Sequence, residues 1–114
     1  MSQQPPQLTA EDAHAIEEAV TGLRGVAKLS GGRFGEVALL FPGERIYGIS
    51  RPSPRDDTRL EVHIVVDVSA GEPLAALGAA IRDTVRSTWP GARTVDVVFA
   101  DAVESVSYTH LRAH

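Results

Sequence analysis

Glu61, His63 and Asp67 place three potential metal ligands in one stretch, Leu60–Val68, at spacings of two and four residues. On a strand such residues share a face and point nearly parallel, so they converge poorly on one ion. The expected role is a solvated sheet face. A second candidate is Ser30-Gly31-Gly32-Arg33-Phe34-Gly35, a glycine-rich run that could cradle a phosphate. It lacks the lysine and Ser/Thr of a P-loop and the spacing of a dinucleotide fingerprint, and no helix follows to lend its dipole. It reads as a bulged inter-strand loop exposing Arg33 and Phe34 as a contact point. The carboxylate pairs Glu17–Glu18 and Asp56–Asp57 fall on a helix surface and in a loop, without apolar surroundings to raise a pKa for acid catalysis. No serine stands in a recognisable nucleophile motif. His14 lies off the apolar stripe of its helix, and Arg51 and Arg55 flank an exposed loop where an anion could meet them. The expectation is no catalytic, cofactor or metal residue, and a partner-binding set of Arg33, Phe34, Glu61, His63, Val65 and Asp67.

Composition narrows the classes further. A chain of 114 residues suits one domain with a modest core, and 43% apolar with 23% charged residues is ordinary for a soluble globular protein. The absence of cysteine removes disulfides and thiolate chemistry, and fits a reducing cytoplasm. A net charge of −4 argues against a general nucleic-acid binder, which needs a basic patch. No apolar run approaches the roughly 20 residues that span a bilayer, so direct membrane insertion is not expected. Residues 1–8 have no signal-peptide pattern and read as a disordered lead-in to a single domain over 9–105. Residues 106–114 match the in-frame translation of a transposase-type sequencing-library adapter and are set aside as a non-native tail. Without Arg112 ten basic residues face fifteen acidic ones, a net charge of −5.

The elements that must position these residues follow from periodicity. Leu60, Val62, Ile64, Val66 and Val68 alternate with Glu61, His63, Val65 and Asp67, so a central strand has one buried face and one wetter face. On the wetter face Val65, with Val98 from the last strand, leaves room for a partner. Thr9 is a helix N-cap with Asp12 at the capping-box position, and Leu8 can staple against Ala13. Ala13, Ile16, Val20 and Leu23 then give one apolar stripe up to a stop at Gly25, a helix over Ala10–Arg24. Val26–Leu29 is a short strand, and Glu36–Phe41 is extended. Pro42-Gly43 suits a type II turn. Glu44–Ser50 returns as a strand with Ile46 and Gly48 on one face, Tyr47 and Ile49 on the other; Gly48 marks a bulge or close packing. A second helix starts with Pro73 at its first position, carries Leu74, Leu77, Ile81, Val85 and Trp89 as its stripe, and stops at Pro90-Gly91. Val95, Val97 and Phe99 mark the last strand, and strand–helix–strand with short links implies a right-handed crossover and parallel pairing. The fold class is α+β: a two-layer sandwich, helix–strand–strand–strand–helix–strand, with both helices on one face of a mixed sheet.

The run Gly25-Val26-Ala27-Lys28-Leu29-Ser30-Gly31-Gly32-Arg33-Phe34-Gly35-Glu36-Val37 resembles the signature segment of the alkaline shock protein family, the envelope stress response proteins of Gram-positive bacteria. The resemblance extends from about Ala15 to Val103 through the proline-glycine turn, the Ile46-Tyr47-Gly48-Ile49 strand, Leu60–Val68 and Thr94–Phe99. It is closest to the short forms of high-GC Gram-positive bacteria. It implies a non-catalytic cytoplasmic protein that acts in assemblies, alone or with a small membrane-anchored partner at the inner face of the membrane. It implies no cofactor. The alternative is a small RNA- or nucleotide-binding domain using the Gly31–Gly35 loop.

Overall fold

The computed structural model describes residues 7–104. Its elements run α1 (Ala10–Thr21), β1 (Val26–Leu29), β2 (Ala38–Phe41), β3 (Glu44–Tyr47), β4 (Ile49–Ser50), β5 (Arg59–Asp67), a 3-10 turn (Val68–Ala70), α2 (Leu74–Thr88) and β6 (Thr94–Val103). Two helices lie against a mixed sheet, the α+β sandwich expected from the periodicity. Residues 106–114, and with them the expected adapter-derived tail, fall outside the described residues, as do residues 1–6 of the expected lead-in.

β5 is the middle of the sheet. β6 pairs with it in parallel from Arg59 opposite Thr94 to Asp67 opposite Val103. That occupies one whole edge, so the antiparallel strands β1, against Ile64–Val66, and β4, against Glu61 and Val62, share the other edge end to end. Leu60, Val62, Ile64 and Val66 turn toward the helices and are sealed by Ala13, Ile16 and Val20 from α1 and Leu77, Ile81 and Val85 from α2. Each such aliphatic side chain contributes roughly 1.5–3 kcal/mol by leaving water. The capping box at Thr9 forms as expected: its hydroxyl accepts the Asp12 N–H, and the Asp12 carboxylate accepts the Thr9 N–H, both at 3.1 Å. Leu8 is buried beside it, its N–H donated to Asp57 Oδ2 at 2.7 Å, so ordered packing begins before the cap.

Four boundaries differ from the sequence reading, each for a local reason. α1 stops at Thr21 rather than Arg24, because Gly22 is the C-cap and tight turn bonds from the Leu23 and Val26 amides carry the chain into β1. Pro73 is extended (ψ 138) and caps α2 from outside instead of opening it. Leu74, on the first turn of α2, is therefore 51% exposed rather than part of the buried stripe. Glu44–Ser50 is broken at Gly48, whose φ of +93 is open to glycine and costly for other residues. The break resets the alternation, so Ile46 and Ile49 both reach the core, where an unbroken strand would set them on opposite faces. A Cβ on Gly48 would also overlap the Leu29 side chain. β6 continues past Phe99 to Val103 with a bulge at Ala100, since the next paired residue, Asp101, sits opposite Val65.

Candidate functional site

The sheet face turned away from the helices is open along β6, where Val98 is exposed as expected, but closed over β5. Val65, expected on a solvated face with room for a partner, is 4% exposed, and that expectation is corrected: its neighbours cover it. Val37 is buried too, and neither residue belongs to the helix-side core. The loop is anchored by the Ser30 N–H to the His63 carbonyl (2.8 Å) and closed on itself by the Val37 N–H to the Gly31 carbonyl (3.0 Å). His63 Nε2 lies 2.7 Å from Glu61 Oε1, with the two side chains only 17% and 33% exposed. Asp67 caps the 3-10 turn, its Oδ1 accepting the Ser69 N–H at 3.0 Å. Glu61, His63, Val65 and Asp67 therefore serve the fold locally. Of the six residues expected to contact a partner, Arg33 and Phe34 are the two that point out of the loop, Phe34 with 89% of its surface exposed.

The loop has a carboxylate at its centre. Glu36 Oε1 accepts the Phe34 N–H at 2.9 Å. The amides of Phe34, Glu36 and Arg33 together hold the Glu36 carboxyl below the usual carboxylate range. A Cβ on Gly32 (φ +83) would stand 2.5 Å from that carboxylate. Gly31 serves a different contact: a Cβ there would lie 2.9 Å from the Tyr47 ring, which packs against the loop and carries the Arg45 guanidinium 6.0 Å from its centroid. Successive amides turned inward around a negative group are the arrangement that phosphate loops use. Here the chain supplies its own anion.

Arg55 is exposed, while Arg51, Asp56, Asp57 and His14 are engaged in the fold. Arg51 Nη1 lies 2.6 Å from Asp57 Oδ1, and the other oxygen of that carboxylate holds Leu8, so the loop is tied to the start of α1. Asp56 accepts from the Thr58 hydroxyl and N–H, which keep its carboxyl below the ordinary value. His14 Nε2 sits 2.6 Å from Glu44 Oε1 and its Nδ1 3.5 Å from Glu17, so the first contact joins α1 to the β2–β3 hairpin. The Glu44 hydrogen bond raises the His14 pKa. Among the described residues no three His, Cys, Asp or Glu gather as metal ligands, and no helix is long and apolar enough to cross a membrane.

One feature escapes the periodicity. A groove of about 430 Å³ lies at the carboxyl ends of β5 and β6, walled by Val66, Val68, Leu74, Phe99 and Ala102, with Glu72 and Asp101 at its margin. Alternation assigns Val68 and Leu74 to buried stripes, yet they are 49% and 51% exposed because the 3-10 turn and the first turn of α2 project past the sheet. The sequence signal was an apolar residue on each side of Ser69–Pro73, a connection otherwise polar or small. No family model, curated protein or solved structure matches the chain.

Proposed function

We propose that this protein is a non-catalytic interaction module of the alkaline-shock, envelope-stress type, working in the cytoplasm through self-association or through a small membrane-anchored protein. One observation carries the proposal: a phenylalanine 89% exposed at the tip of a loop whose amides turn inward onto the Glu36 carboxylate. An exposed aromatic on a flexible segment loses much of its binding energy to ordering. One on a loop pinned by Glu36 and packed against Tyr47 has met that cost in folding. The amides that a nucleotide phosphate would need already hold the Glu36 carboxylate, which also repels a second anion. The carboxylates and imidazoles best placed for acid–base work are engaged as caps, ties and pairs.

The test is capture of the tagged full chain from a detergent extract of a high-GC Gram-positive bacterium, with and without nuclease. Recovery of sibling copies or a small membrane protein, unchanged by nuclease and lost with Phe34→Ala, is the expected result. Recovery of RNA that nuclease removes would overturn the proposal and turn attention to the loop as a nucleic-acid site.

A further inference from the structure

Among the described residues β6 pairs with β5 alone, so its outer edge carries a row of unpaired N–H and C=O groups. The bulge at Ala100 interrupts that row, and beyond it the Ala102 N–H is already donated to Asp101 Oδ1 at 2.8 Å. The regular open stretch is Thr94–Phe99.

A basic flank of α2 runs along this stretch. Gly78, Arg82 and Arg86 stand at four-residue spacing and share one side of the helix. A Cβ on Gly78 would lie 3.6 Å from Arg82 Nη1 and 3.8 Å from Phe99 Cζ, which sets that guanidinium beside the Phe99 ring. Arg86 Nη2 donates to the Arg93 carbonyl at 3.3 Å, just before β6 begins. Arg82, Arg86 and Arg93 make no ion pair among the described residues, although the chain has more acidic than basic side chains. Asp83 is exposed about 100° further round the helix, away from the buried Leu77, Ile81 and Val85. Asp96 and Asp101 stand opposite Glu61 and Val65, on the other face of the sheet, and Arg59 lies 3.9 Å from Asp96.

Spacing selects the ligand. Side chains four apart on a helix lie about 6 Å from one another, and alternate side chains of a strand repeat at about 6.6 Å. Carboxylates two residues apart on an added strand would meet Arg86 and Arg82 one each. The residues between them would fall on the face of exposed Val98. Two copies of this chain pairing through the same edge about a two-fold axis would instead bring both sets of arginines together.

We infer that Thr94–Phe99 takes an extended peptide of alternating acidic and apolar residues from a protein partner, added to the sheet as a strand and clamped by Arg82 and Arg86. This surface is separate from Phe34 and does not depend on it.

The probe is a short capped peptide alternating glutamate with valine, titrated into the labelled full chain and followed by amide shifts and hydrogen exchange. Shifts should centre on Thr94–Phe99, with alternate amides there protected. Arg82→Glu and Arg86→Glu should each weaken binding about tenfold, and together should transfer it to the matching lysine–valine peptide. Circular dichroism and melting verify that the variants fold; Arg86, at the surface, is the substitution least able to disturb folding. Amides of β6 that ignore the peptide, that respond equally to tripolyphosphate, or that move with protein concentration alone overturn the inference. So does a folded Arg86→Glu chain that binds the glutamate peptide as well as wild type. Phe34→Ala should bind the peptide unchanged. Failure here leaves the Phe34 reading standing, and failure of capture through Phe34 leaves this edge standing.

Discussion

On one face of β5, Leu60, Val62, Ile64 and Val66 meet two helices in a continuous aliphatic layer; on the other, Val65 is buried outside that layer, the Glu61 and His63 side chains pair, and the Ser30–Val37 loop is bonded to the His63 carbonyl. The first face derives its stability from buried area, which is large and non-directional. The second depends on a few hydrogen bonds and on glycines that let groups approach. The cover that needs most of the apolar surface is thus separate from the cover that presents Phe34. Interaction residues can change on the loop side without loss of the core.

The largest effect belongs on the helix face. Ile64→Ala, at a fully buried position, should lower stability by about 2–5 kcal/mol in a chemical-denaturation midpoint. A native-like midpoint would mean the two faces are assigned the wrong way round. Gly48→Ala comes next, because this residue links the hairpin to the sheet. Its positive φ and the overlap with Leu29 should cost about 1–3 kcal/mol, with Ile46 and Ile49 drawn out of register.

Effects on the loop face are smaller and depend on pH. The Glu36 carboxyl is held low in the folded chain, so its contribution is present at neutral pH and lost as pH falls through the lowered folded pKa. Glu36→Gln should flatten the acid limb of the melting-temperature profile and speed hydrogen exchange at the Phe34 amide. An unchanged profile would mean that solvent, not the carboxylate, satisfies the loop. The smallest effect is at His14, whose raised pKa works in the opposite sense. Its contribution from Glu44 and Glu17 is complete below the ordinary value of 6.5 and fades as pH rises through the raised value. His14→Gln should remove a slight gain in melting temperature on acidifying toward pH 6.5, with the wild-type imidazole titrating above that value by NMR. A titration at or below it would remove the α1–hairpin contact from the account.

Much of the helix face was legible in the sequence. Alternation in Leu60–Val68, the Thr9 and Asp12 pair and the short strand–helix–strand links each act over a few residues and each leave a pattern. The loop face was legible only at Arg33 and Phe34, where glycines flank an unusual pair. The burial of Val65 could not be read, because alternation gives the face of a strand and not what later folds over it. Gly48 was recognisable as a weak point, but the consequence of its break, Ile46 and Ile49 on one side, needs the dihedral itself. The groove stayed hidden because Val68 and Leu74 continue two apolar patterns past the sheet that buries the rest.

The most direct measurement of the difference between the two faces is a set of amide chemical shifts for the labelled full chain, recorded over a dilution series and with added inorganic phosphate. The expected result is that Arg33 and Phe34 move with protein concentration, while the Gly32 and Glu36 amides ignore phosphate. Shifts that are independent of concentration, with loop amides that follow phosphate, would contradict it: the loop would then be an anion cradle and Phe34 a bystander.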